Sequence, residues 1–204
     1  MKILSSLLFA VLSLALGASP VVAQTPAPAQ PQPRPPVTFA PSGRASTAIS
    51  VSGAGGGGPM ISIDYGQPHA SGREVFGTLV PFDSVWRAGA NRATQLTTDV
   101  PLTIGGTKLA PGSYTLALYA SKTDPRLVIN SRTRQWGIPY SATGEIARVP
   151  MRARTLSEPV ESFTIALVPN ATRPNLGTTP TPGTGVLTMT WGTMQFSVEF
   201  SAQP

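Results

Sequence analysis

Hydrophobic and polar residues alternate through much of this chain. In ESFTIALV, Phe163, Ile165 and Leu167 fall on one face; in MQFSVEF, Met194, Phe196, Val198 and Phe200 do so, with Gln195, Ser197 and Glu199 opposite. A period of two places successive side chains on opposite faces of a strand, so both segments predict strands with one buried face. Similar short segments occur at 60–65, 93–98, 113–119, 126–130, 146–152 and 186–191, most of them bounded by Gly, Pro, Asn or Asp. GGTK at 105–108 and APGS at 110–113 read as successive turns, and Trp191, Gly192 and Thr193 as a tight connection between the last two strands. No segment carries a sustained helical stripe. Antiparallel strands with one apolar face each need a sandwich or a closed barrel, and the predicted class is all-β, an antiparallel β-sandwich-like single domain.

The first residues break this pattern. Lys2, an apolar run over 7–16 and small residues at 21–23 predict a secretory signal peptide over 1–23, cleaved before Gln24. Proline then recurs nearly every second residue, which predicts an extended, disordered tether over 24–41. SGAGGGG at 52–58 has little side chain to bury, so 42–59 reads as a flexible Gly-rich lead-in, with the β-rich domain over 60–204. No later segment is long and apolar enough to span a bilayer, and no membrane span is expected after signal removal. Cysteine is absent, so neither a disulfide nor a lipid-bearing cysteine is expected, and the mature chain is expected in the periplasm or secreted. A formal charge of +6 gives mild attraction to anionic ligands and surfaces. Together with export, it does not predict nucleic-acid binding.

Candidate chemistry concentrates in GREVFGTLVPFDSVWRAGANRAT. Arg73, Arg87 and Arg92 offer guanidinium forks suited to carboxylate, sulfate or phosphate oxygens. Trp86 adds an apolar or sugar-stacking surface, and Asn91 adds a donor and an acceptor. These five form the expected ligand site, with an anionic glycan or a small acid as partner. A plainer reading stands beside it: Arg87 pairs with Asp64, Asp83 or Glu74, Trp86 is a core residue, and Gly89 with Asn91 shapes a turn. A second basic group, Arg126, Arg132, Arg134, Arg148, Arg152 and Arg154, has Trp136 and Tyr140 between its members. Period two puts Arg148, Arg152 and Arg154 on one face, with Val149, Met151 and Ala153 toward the core. The segment LGTTPTPGTG at 177–186 reads as a long hairpin loop without a charge or aromatic to anchor a ligand.

Catalytic patterns are scarce. His69 is the only histidine, which excludes a multi-histidine metal site within one chain, and there is no HExxH, GxSxG or GK[ST] motif. A serine triad would have to use His69, and no spacing selects a pair among the carboxylates. No metal or cofactor is expected.

Ile63, Asp64, Tyr65, Gly66, Pro68, Gly72 and Arg73, then VFGTLVPFDSVWRAGAN, Thr94, LAPGSYTL and the pair Arg148 and Val149 resemble the bacterial exported family catalogued as domain of unknown function 2911. The resemblance covers roughly 61–200 and implies a secreted or periplasmic β-rich domain with no assigned activity, cofactor or substrate. Members of that family usually carry an acidic residue at the position of Arg92 and another shortly before the Arg148–Val149 pair, where this chain has Glu145. A catalytic or cation-binding role for the first acidic position is therefore not expected here. Three functions follow from the sequence: a non-enzymatic module binding an anionic or carbohydrate-containing cell-envelope ligand, a hydrolase acting on an envelope or extracellular substrate, and a structural envelope protein. The residues favour the first.

Overall fold

The computed structural model describes residues 41–51, 58–134, 136–170 and 183–202, all within one compact unit, Thr38–Pro204. The expected signal peptide, the tether up to residue 40, positions 52–57 of the glycine run and 171–182 of the expected hairpin loop lie outside the described residues.

Two antiparallel sheets make the fold. The larger runs β1 (Arg44–Ser50), β2 (Met60–Gly66), β4 (Thr94–Thr98), β7 (Gly112–Ala120), β8 (Arg126–Asn130) and β9 (Glu145–Pro150), with β3 (Ser84–Trp86) also on β7. The smaller runs β10 (Arg152–Pro169), β11 (Gly183–Ala202), β5 (Leu102–Ile104) and β6 (Thr107–Leu109). The predicted all-β sandwich-like class is the observed one. Between the sheets, Ile61, Ile63, Leu96, Leu116, Leu118, Leu127 and Ile129 of the larger meet Phe163, Ile165, Leu187, Met189 and Phe196 of the smaller, all buried. Each such side chain contributes about 1.5–3 kcal/mol on leaving water. With no cysteine to cross-link the chain, this apolar core carries the stability.

Several elements differ from the sequence expectation. Arg44–Ser50, inside the expected flexible lead-in, is an edge strand paired with β2 from Arg44↔Gly66 to Ser50↔Met60. Its residues alternate between half-buried and exposed, with Ala45 and Ile49 packed on the core. Ala153, expected in the core, is exposed; only Val149 and Met151 of that trio are buried. The expected tight connection at 191–193 does not separate two strands, because β11 runs through it. Its buried positions are odd at Leu187, Met189 and Trp191 and even at Phe196, Val198 and Phe200. A strand can change parity only through an irregularity, and Gly192 supplies it with φ 53°. A Cβ at Gly192 would lie 3.1 Å from the Val75 side chain, so both conformation and space select glycine.

β3 and β4 are one interrupted strand. Trp86 pairs with Leu118 of β7 and Thr94 with Leu116, so the residues between them, Arg87 to Ala93, leave the sheet as a loop. That loop folds onto the end of β2, where the Ala90 amide donates to the Gly66 carbonyl at 3.1 Å. A Cβ on Gly66 would lie 1.9 Å from the Ala90 carbonyl oxygen, so no larger residue fits this contact.

Candidate functional site

The chain leaving β2 does not stay with its own sheet. The Phe163 amide donates to Pro68 O at 2.9 Å and the Ala70 amide to Glu161 O at 2.8 Å, so this segment adds to the edge of β10 and ties the two sheets. His69 and Ser162 face each other there, with His69 Nδ1 and Ser162 Oγ 2.8 Å apart. The Ser71 amide donates to the Glu161 carboxylate at 2.7 Å, and the next residues, Gly72 to Phe76, turn along the surface.

This turn makes one wall of a cleft of ≈630 Å³. Facing it are Thr155 and Val160 of β10, where pairing with β11 loses register, and Met194 just past the Gly192 irregularity. Buried Val75 and Phe76 and half-buried Phe82 give it an apolar side, Phe76 and Phe82 stacking with centroids 6.5 Å apart. The volume lies within the range of small-molecule sites, and a mostly apolar lining with a few polar groups is their usual composition.

Two cations border the cleft. Arg73 Nε donates to Ala70 O at 2.8 Å and Nη2 to His69 O at 2.9 Å, which fixes the guanidinium and leaves the rest of its N–H groups uncommitted. Lys122, exposed, stands with Nζ 4.9 Å from the Phe82 ring centroid. Among the described residues neither has an ion-pair partner. The two carboxylates of the lining differ from them in already accepting hydrogen bonds, Glu161 from Ser71 and Glu74 from the Thr78 hydroxyl at 3.2 Å. The formal charges balance; Arg73 and Lys122 keep free N–H donors and both carboxylates keep further acceptor sites. Such a site suits a ligand rich in acceptor oxygens with an apolar portion.

The five residues expected as one site are dispersed. Only Arg73 lines the cleft. Trp86 is half-buried and packs against the core, edge-on to Phe163 with centroids 4.8 Å apart. Arg87 is half-buried, its Nε donates to Gly89 O at 3.0 Å, and partial burial lowers its pKa from the usual arginine value. Asn91 takes φ 61° in a turn and donates to Ser42 O at 3.3 Å. Arg92 is exposed, and its backbone bridges to Trp136. Among the described residues none of the three arginines forms an ion pair with a carboxylate; Asp64 is paired with Arg44 instead. The structure thus keeps Arg87, Asn91 and Arg92 together and separates them from Arg73 and Trp86. Lys122, Phe82 and Met194 line the cleft without being among the residues expected at a ligand site. Lys122 sits in the turn between β7 and β8, where SKTDP reads only as an exposed turn.

A further polar cluster lies where 131–144 connects β8 and β9. Tyr140 Oη donates to Glu145 Oε2 at 2.5 Å, and Arg148 donates to the same carboxylate at 2.7 and 3.2 Å. Partial burial and then the Glu145 carboxylate push the Tyr140 phenol up to about 12. The Arg148 hydrogen bond holds Glu145 below the usual glutamate value. Among the described residues no group of three or more His, Cys, Asp or Glu side chains converges to hold a metal, and no helix is long and apolar enough to cross a membrane.

Comparison with the curated proteins and with the solved structures gives no match. A family model described as a protein of unknown function, DUF2911, matches residues 46–200, from within β1 to within β11. That span takes in both sheets, the cleft and the loop after Trp86, and the chain belongs to this family of unknown function, DUF2911.

Proposed function

We propose that this protein is a non-enzymatic binding module of the cell envelope, taking an anionic or carbohydrate-containing ligand in the cleft beside Arg73 and Lys122. One observation carries the reading: two cations with no ion-pair partner among the described residues and with uncommitted N–H donors border an apolar-sided cleft. The signal-like segment 1–23 supports a periplasmic or secreted location. Arg87, Asn91 and Arg92 are outside the cleft and are not needed for this ligand.

The test is a screen of glycans and small carboxylic, sulfated and phosphorylated acids against the chain beginning at Gln24, followed by Lys122→Ala. A hydrogen bond to a charged group contributes about 1.5–3 kcal/mol, so a ligand of the cleft loses about tenfold or more in affinity on that substitution. Arg87→Ala leaves it unchanged. A ligand indifferent to Lys122→Ala and to Arg73→Lys removes the cleft from the reading. Reproducible turnover of a screened compound replaces binding with catalysis, and a chain that binds none of them stands as a structural envelope protein. Amino-terminal sequencing of the protein from an extracytoplasmic fraction checks the location, with Gln24 the expected first residue.

A further inference from the structure

The most exposed large apolar side chains among the described residues are two positions apart. Trp136 is 60% and Ile138 57% exposed, both in the 131–144 connection between β8 and β9. Of the other two tryptophans, Trp191 is buried in the core and half-buried Trp86 packs against it, so leaving Trp136 in water is not the habit of this chain. Its neighbours are basic. Arg132 and Arg134 precede it and are exposed, and Arg92, also exposed, is brought alongside by the bridge between its backbone and that of Trp136. The Gly137 amide donates to Asn91 O at 3.3 Å, and a Cβ on Gly137 would lie 2.4 Å from Arg87 Cδ, so the Arg87 stem supports the loop from beneath. The carboxylate on the next strand, Glu145, is engaged by Tyr140 and Arg148.

We infer that this face, Trp136 and Ile138 amid Arg92 and Arg134, docks on an anionic lipid surface. An apolar tip ringed by arginines has the composition that settles at a bilayer interface, the rings and aliphatic groups entering the headgroup boundary while the guanidinium groups meet lipid phosphates. A sugar or a nucleobase is a poorer occupant. The space between Arg87, Trp136 and Tyr140 is only ≈10 Å³, so there is no chamber to hold a ring. Ile138, moreover, offers an aliphatic side chain where stacking needs a flat aromatic face. The face is separate from the cleft, with which it shares no lining residue.

The experiment uses the chain beginning at Gln24, which lacks the apolar segment 1–23 and keeps every described strand. It is sedimented with vesicles of equal parts phosphatidylglycerol and phosphatidylcholine and with vesicles of phosphatidylcholine alone. The expected result is partition onto the anionic vesicles that fades with added salt, together with a blue shift of tryptophan emission that Trp136→Ala abolishes. Arg134→Ala and Arg92→Ala each lower the partition about fivefold. Ile138→Ser lowers it as well, and because both Trp136 and Ile138 are exposed the thermal midpoint of each variant stays that of the parent. Equal sedimentation with phosphatidylcholine alone, partition unaffected by both Trp136→Ala and Ile138→Ser, or tighter retention on single-stranded DNA than on vesicles overturns the inference.

Discussion

The indole of Trp86 lies on that of Trp191, ring centroids 5.5 Å apart and planes 20° from parallel. Trp86 belongs to β3 of the larger sheet and Trp191 to β11 of the smaller, so the stack joins the two layers, with Phe163 edge-on to both. The Trp191 indole N–H is satisfied by Glu161 O at 3.0 Å, the same residue that receives the segment leaving β2. This side of the core is therefore also the support of the cleft wall.

Truncating the stack should be costly. Trp86→Ala is expected to lower unfolding free energy by about 3–5 kcal/mol, the range for an aromatic removed from a core. Trp136→Ala, at an exposed position, should stay within about 0.5 kcal/mol. Urea denaturation of both variants checks the contrast. Similar losses for the two would remove the distinction between a structural and a surface tryptophan.

Gly192 makes a second structural prediction. A side chain there must adopt the left-handed backbone region and press on Val75, so Gly192→Ala should destabilise by about 1–2 kcal/mol or more. Gly43→Ala is the control, since nothing lies within 4 Å of a Cβ at that position and its φ is not positive. Because Val75 and Gly192 both line the cleft, Gly192→Ala should also weaken its ligand, which separates it from a remote destabilising change.

These contacts depend on long-range packing that a local residue pattern does not encode. Strands whose apolar residues hold one parity, such as Phe163, Ile165 and Leu167, were legible because burial follows the two-residue period. β11 was legible as strand but not as a single strand, since its parity change around Gly192 has the same signature as a turn. Arg44–Ser50 lacks a strong apolar face, and only its pairing with β2 gives it structure. The five residues of the expected site were grouped by closeness in sequence. Trp86 is the last residue of a strand and Arg87 to Ala93 an excursion from it, so neighbours in sequence point to different places. Arg73 and Lys122 come together through loops of separate strand pairs, a placement that no local pattern encodes.

The Tyr140–Glu145 contact makes stability depend on pH at both ends. Tyr140 is raised from 10.0 to about 12, so folding favours its protonated form; that contribution is complete below pH 10 and is lost as the pH rises through about 12. Glu145 is lowered, so its contribution is present above the ordinary glutamate value and disappears as the pH falls through its folded value. Tyr140→Phe should abolish the part of the alkaline loss that falls between pH 10 and about 12 and leave an acid limb carried mainly by Arg148, reduced by loss of the Tyr140 hydrogen bond to Glu145. Denaturation midpoints across pH, with phenolate absorbance followed in parallel, check this. A tyrosine titrating near 12 that persists in Tyr140→Phe would assign the shift to another residue.

His69 and Ser162 form the pairing that a serine hydrolase reading would have to use, since they are the hydrogen-bonded histidine and serine of the described residues. Their placement argues for cross-strand stitching. The two residues are directly opposed across an antiparallel bridge flanked by backbone hydrogen bonds from Ala70 and Phe163, and neither lines the cleft. Opposed hydroxyl and polar groups on paired strands contribute roughly 0.2–1 kcal/mol as structure, without any reacting role. A nucleophile needs in addition an approach path and donors placed for the developing oxyanion; Ser162 instead lies in β10 between Val160 and Thr164, where pairing with β11 shifts register, and is opposed by His69. Ser162→Ala is expected to cost about 1 kcal/mol or less in stability and to leave binding of a cleft ligand within about twofold, and the parent protein is expected to take up no serine-directed fluorophosphonate at Ser162. Labelling of Ser162 that is lost in His69→Ala, with the fold intact by circular dichroism, would make the pair a catalytic one and displace the binding-module reading.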